Sequence, residues 1–191
     1  MGEVSGLVLA GGASVRMGQD KAVMMWDGQR LVDRAVGCLR LIADDVVVAN
    51  GRRTLPDLDV AQIADQPPGV GPLGGIAAGL GQAEHDVVCV LAVDLPYADP
   101  DMFRALIERW QGEAAVIPTG AGQPQPLHAV WTAAAAPALG VLIADGVRSV
   151  GRAAAALDAL VLDAQTTSEL IDHDRWATNV NRPSDVDASH P

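Results

Sequence analysis

The chain has 191 residues and a formal net charge of −11 at pH 7; 49% of it is hydrophobic but only 3% aromatic. That length suits a single domain over 1–191 with a short disordered tail at 184–191, its core built from Ala, Val, Leu and Ile. The negative charge excludes broad nucleic-acid binding, which needs a basic face, yet it allows a local basic pocket for one anionic ligand.

From the N-terminus, Val4 to Ala10 reads as a strand. It stops at Gly11-Gly12, and a loop then carries Arg16, Gly18, Asp20 and Lys21. Leu31 to Ala43 has helical spacing, Val46 to Val48 is a second strand and Val60 to Ala64 a third. Pro72 to Ala83 reads as a helix with proline in its first turn. Asp86 to Val93 is a continuous apolar strand of the doubly buried kind. Asp99 to Trp110 is a helix, capped by Asp99 and led by Pro100. Ala114 to Ile117 and Leu127 to Trp131 are further strands, joined by the turn-rich "PTGAGQPQP". Two alanine-rich helical segments follow, "TAAAAPALGVLIADG" and "SVGRAAAALDAL". The alternation predicts an α/β fold, a Rossmann-like, mostly parallel sheet flanked by helices.

Cys38 and Cys89 stand in apolar surroundings and read as small buried hydrophobes; no Cys/His cluster has zinc spacing. No leader segment is evident, and no apolar run approaches the ~20 residues of a membrane helix, so the expected location is the cytoplasm, away from membranes.

The opening loop carries the chemistry. In open α/β sheets ligands bind at the carboxyl ends of the strands. Glycines there allow close approach to the main chain, and Arg16 and Lys21 supply charge-assisted bonds suited to phosphate. The loop is not a Walker loop, because five residues separate Gly12 from Gly18 and Lys21 lies three further on. It also lacks the GxGxxG spacing of dinucleotide folds. Asp94 ends the long apolar strand: it is a helix cap, a solvated end or a site residue, and the cap role falls more naturally to Asp99. One such carboxylate with substrate phosphates is a magnesium arrangement.

"LAGGASVRMGQDK" resembles the signature loop of nucleotidyltransferases related to the molybdenum cofactor guanylyltransferases, commonly called MobA. "ADQPPGVGPLGGI", "VVVAN", "VDLPY", "GQPQPLHAVW", "DGVRSV" and "NVNRPSD" resemble further family segments, so the likeness runs from about Val4 to Pro183. Ala92-Val93 replaces a usual Pro-Cys, and Arg182 and Ser184 replace Thr and Glu. The resemblance implies a nucleotide-diphospho-sugar transferase-like fold and transfer of GMP from GTP to the terminal phosphate of molybdenum-molybdopterin, with pyrophosphate leaving. It implies a nucleotide held by Leu9, Ala10, Gly11, Gly12, Lys21, Asn50, Asp65, Gly71, Gly75 and Asp94, with Gly74 also shaping the pocket. Arg16, Lys21 and Asp94 would be catalytic, Asp94 would bind Mg²⁺, and Asn179 and Asn181 would face the acceptor. Molybdenum cofactor insertion proteins and target molybdoenzymes are the implied partners of a monomer or weak oligomer.

From residue type alone, Asn50 serves equally as a turn residue, and Asn179 and Asn181 either share a ligand face or serve a turn. The glycines after Asp65 also suit a tightly packed helix start. His128 reads as structural. The resemblance of "DGVRSVGRAAAAL" implies that Arg148 or Arg152 meets acceptor phosphate, the alternative being solvated surface arginines. Three alternatives remain. One is a cytidylyltransferase, whose relatives more often carry LAAG in place of Leu9 to Gly12. The second is another small nucleotidyltransferase, and the third a non-catalytic nucleotide binder.

Overall fold

The computed structural model describes residues 3–11, 20–173 and 175–180. Gly12, Arg16 and Asn181, and the tail from residue 184, lie outside the described residues. The strands are β1 (Val4–Leu9), β2 (Met25–Trp26), β3 (Gln29–Arg30), β4 (Asp45–Ala49), β5 (Ala61–Ile63), β6 (Val87–Ala92), β7 (Ala115–Ile117), β8 (Thr119–Gly120), β9 (Gln123–Pro124), β10 (His128–Thr132) and β11 (Leu160–Val161). The α-helices are α1 (Leu31–Leu39), α2 (Pro72–Leu80), α3 (Pro100–Arg109), α4 (Ala136–Ala144), α5 (Val150–Ala156) and α6 (Ala164–Ser168).

Seven strands form one sheet in the order β11-β7-β10-β6-β1-β4-β5. All neighbours run parallel except β10, which is antiparallel to both β6 and β7. The chain between β7 and β10 holds only the small β8–β9 hairpin, too little for the crossover that a parallel return requires. From β1 the chain winds outward through β4 to β5, then crosses back to place β6 on β1's other side. That reversal beside β1 is a topological switch point, where a crevice opens at the strands' carboxyl ends.

β1 is wholly buried, and alternate residues serve the two faces of the sheet. Val4 and Val8 join the core beneath α1 and α3; Leu7 and Leu9 join the one beneath α2, α4 and α5. Small residues bring the helices close: a Cβ at Gly79 of α2 would lie 2.3 Å from Leu7 Cδ2. α2 starts as expected, with Pro72 in its first turn after Gly71 at φ 77°, a backbone that side chains rarely adopt. α3 is capped by Asp99, whose carboxylate accepts from the Asp101 amide at 2.8 Å.

Three expectations need correction. The helix from Pro72 ends at Leu80, not Ala83, with Gly81 as its C-cap. The helix from Leu31 ends at Leu39, not Ala43, and gives way to turns. "SVGRAAAALDAL" is not helical throughout: α5 stops at Ala156, Asp158 takes φ 52°, and Leu160 leaves to pair with Val116 of β7. Sheet pairing outweighs the local propensity of the alanines there. Cys38 and Cys89 are free thiols packed in the core, and burial pushes Cys38 up to about 12.

Candidate active site

At the switch point, Leu9 of β1 lies beside Ala92 of β6, and the Val93 amide donates to Leu9 O at 3.2 Å. The next two amides turn the other way: Ala10 N and Gly11 N both donate to Ala49 O, at 2.8 and 3.0 Å. The chain leaving β1 is therefore pinned to β4, while the chain leaving β6 is pinned to β1. Lys21 opens a short 3-10 helix, Lys21–Val23, capped by Asp20, whose Oδ1 accepts from Ala22 N at 3.1 Å. From there Lys21 Nζ donates to Asp94 Oδ2 at 3.2 Å, with both side chains about three-quarters buried. The Asp94 carbonyl accepts from Val180 N at 2.8 Å, which draws the C-terminal segment to the same place. Val180 is buried and its neighbour Asn179 is exposed.

On the β4–β5 side stands Asp65, in the loop before α2, and its half-buried carboxylate is lined by glycines. A Cβ at Gly11 would lie 3.1 Å from Asp65 Oδ2, and one at Gly75 would lie 3.4 Å from Asp65 Oδ1. Gly51 Cα is also close, its ideal Cβ being 3.6 Å from Oδ2. Burial raises the Asp65 pKa above the ordinary carboxylate value, opposed by the Gly51 N–H and the Arg53 charge. Gly11, Asp65 and Gly75, far apart in sequence, thus form one nook.

Asn50 sits at the end of β4 and is buried. Its Nδ2 donates to Gln62 Oε1 at 2.6 Å, and Gln62 in turn bonds both the N–H and the C=O of Leu55. Asn50 therefore ties the loop after β4 to β5, and its amide donor is engaged within the fold. Arg53, which the sequence reasoning passed over, reaches the switch point: Nη2 donates to Ala10 O at 2.9 Å, and Nη1 pairs with Asp20. The signal was available in "NGRR", two positive charges just past a strand's carboxyl end.

His128 is fully buried, between Phe103 at 4.4 Å and Trp176 at 5.1 Å between ring centroids. Desolvation lowers its pKa to about 4, opposed by the Trp176 backbone and the Asp99 charge. It is a neutral core ring, as expected. Arg148 and Arg152 are exposed, and Arg148 donates to Ile143 O and Val147 O at the end of α4. A cavity of about 340 Å³ opens beside Trp176, lined also by Thr119, Gly120, Thr167, Asp172 and His173.

No group of three or more metal-ligating side chains exists among the described residues. Asp94 offers a hard oxygen donor beside a lysine, and a single carboxylate that shares its ion with substrate phosphates is what magnesium accepts. The donor set fits that ion and does not fit a structural zinc.

A mostly parallel sheet that reverses beside β1 is the architecture of the nucleotide-diphospho-sugar transferase fold, and the family model that matches the chain makes it a nucleotidyltransferase. The MobA-like NTP transferase domain family matches residues 6–164, and the chain belongs to that family. A probable molybdenum cofactor guanylyltransferase of Natronomonas pharaonis is 38% identical over 140 residues, 69% of each chain. The molybdenum cofactor guanylyltransferase of a Pseudomonas putida strain is 34% identical over 185 residues, 93% of this chain and 92% of that one. In structure, molybdopterin-guanine dinucleotide biosynthesis protein A from Archaeoglobus fulgidus superposes with a TM-score of 0.80 at 24% identity, covering 96% of this chain and 95% of its own. The 2-C-methyl-D-erythritol 4-phosphate cytidylyltransferase of Thermus thermophilus shares the fold, with a TM-score of 0.70 at 19% identity, covering 98% and 97%. No helix among the described residues is long and apolar enough to cross a membrane.

Proposed function

We propose that the chain transfers GMP from GTP to the terminal phosphate of molybdenum-molybdopterin, forming the guanine dinucleotide and releasing pyrophosphate. The observation that carries this reading is the Lys21–Asp94 pair, which joins the last residue of the signature segment to the chain just past β6 at the switch point. An acceptor phosphate oxygen attacks the α-phosphorus of GTP, and the bond to the β-phosphate oxygen breaks. The nucleophile is already ionised, so positioning and charge stabilisation suffice. Leu9, Ala10, Gly11 and Gly12 would offer backbone to the nucleotide, and Arg16 and Lys21 would neutralise charge on the departing pyrophosphate. Asp94 would hold Mg²⁺, which supplies further charge neutralisation at the phosphates.

Asp65 would face the base. Guanine presents two adjacent donors, N1–H and the 2-amino group, to which a carboxylate can accept. Cytosine presents a ring-nitrogen acceptor beside its amino group, which a carboxylate repels. Gly74 and Gly75 would shape that nook, Gly71 would let the chain turn into α2 beside it, and Asn50 would act by holding the loop that carries Gly51. On the acceptor side, Asn179 and Asn181 would meet the incoming phosphate, with the cavity beside Trp176 open to the rest of the acceptor.

The decisive experiment supplies GTP, Mg²⁺ and molybdenum-loaded molybdopterin and looks for a guanine dinucleotide and pyrophosphate. Product with CTP in place of GTP would move the assignment to a cytidylyltransferase. Nucleotide-dependent stabilisation without pyrophosphate release would make the chain a binder.

A further inference from the structure

Lys21 is the only lysine in the 191 residues, and its turn is tied to a residue outside its own segment. Asp20 caps the turn on which Lys21 stands, and the other oxygen of that carboxylate pairs with Arg53. The same guanidinium, through its other terminal nitrogen, bonds Ala10 O at the end of β1. Arg53 is about one-third exposed, at the edge of the crevice, and its charge also reaches Asp65. One planar fork thus joins the residue before the signature glycines to the residue before the lysine. Arginine suits this task, because its donors diverge in a fixed plane and can meet two acceptors at once.

We infer that Arg53 is a positioning residue of the nucleotidyl-transfer site: it braces Ala10 to Asp20 and thereby sets Lys21 against Asp94. The inference rests on the nucleotidyltransferase reading for its kinetic consequences, but not for its structural one. Because Arg53 works through Lys21, its loss falls on turnover more than on GTP affinity, and it disappears when Lys21 is already gone. A lysine at position 53 keeps a charge for Asp20 but cannot fork to Ala10 O, so it restores activity only in part.

The test combines a double-mutant cycle with amine labelling. Arg53→Ala should lower kcat roughly tenfold, with a smaller change in the KM for GTP. In the Lys21→Ala background the same change should cost almost nothing further, because the two residues act as one unit. Independently of activity, trace acetylation read by mass spectrometry should find Lys21 Nζ several-fold more reactive in Arg53→Ala than in the parent. If Arg53→Ala fails to fold, Asp20→Asn replaces it in both arms, since asparagine retains the cap but loses the charge partner. Parent-like kcat and labelling in these variants, or an equal loss with and without Lys21, would overturn the inference. A parent chain that never turns over GTP refutes the guanylyltransferase reading instead, and the labelling arm still decides the role of Arg53.

Discussion

Asp94 and Asp65 occupy equivalent places in the fold and have opposite surroundings. Each stands two residues past a parallel strand, β6 ending at Ala92 and β5 at Ile63. Asp94 meets a lysine ammonium; Asp65 meets glycine backbone. A carboxylate beside a cation is suited to a site where phosphate and metal charge must be balanced. A carboxylate walled by glycines is suited to a flat ligand edge that approaches closely and donates hydrogen bonds. In the proposed function one sheet thus supplies a phosphate end at Asp94 and a base end at Asp65, set apart by what packs around the same residue type.

The largest effect belongs to Asp94. Asp94→Asn keeps the shape but removes the charge, and turnover should fall about 10²–10³-fold, the scale seen when a transition-state charge partner is lost. Steady-state pyrophosphate release measures it, and Mg²⁺ titration should no longer restore the rate. A variant that keeps parent-like turnover would erase the contrast between the two carboxylates.

Lys21→Ala comes next. Turnover should drop about a hundredfold while GTP affinity changes by less than about tenfold, since in the proposed mechanism the lysine acts where charge develops as pyrophosphate leaves. Calorimetric GTP binding and single-turnover rates separate the two. An equal loss in both would make Lys21 a ground-state anchor.

The phosphate end was the more legible half in sequence. Its spacing is local: a strand, two glycines, an arginine and a lysine between Val4 and Lys21. Asp94 was legible because a continuous apolar run announces a central strand and its end. The base end depends on pairings that no local window contains. Gly11, Gly51, Gly75 and Asp65 meet only because β1, β4 and α2 converge. The burial of Asn50 against Gln62 follows from the pairing of β4 with β5, and Arg53 earns its place through Asp20, across more than thirty residues. β11 was hidden for the same reason: its two residues become a strand only beside β7. The β2–β3 hairpin was legible and passed over, since Asp27-Gly28, both at positive φ, is a tight-turn signal.

Asp65→Asn should act on binding alone. GTP affinity should fall roughly tenfold or somewhat more, the range for hydrogen bonds to a charged group, with kcat at saturation little changed. The pH dependence sharpens this. Guanine donors need the ionised carboxylate, so protonation of Asp65 weakens binding. Burial raises its pKa, so in the parent the affinity should already decline at a pH above the ordinary carboxylate range as the solution is acidified. Asp65→Asn should flatten that limb. A parent and a variant with the same acid limb would detach Asp65 from the base.

The smallest effect separates two glycines one turn apart on α2. Alanine is favoured over glycine inside a helix by up to about 1 kcal/mol at either position. At Gly75 the added Cβ meets Leu9 Cδ2 at 3.1 Å and Asp65 Oδ1 at 3.4 Å; the first is a terminal methyl that can shift, and the second is ordinary contact. Stability should therefore hold or rise slightly in Gly75→Ala, while the methyl narrows the nook and GTP affinity falls by about threefold, on the order of half a kcal/mol. At Gly79 the Cβ would lie 2.3 Å from Leu7 Cδ2 in the centre of the core, so Gly79→Ala should lower Tm despite the same helical gain. Melting curves and GTP titrations on the two variants therefore move in opposite senses: one loses ligand and keeps its fold, the other loses fold. Were Gly75→Ala to bind GTP as tightly as the parent, the base would have to sit away from the Asp65 nook, because the added methyl lies 3.4 Å from its carboxylate.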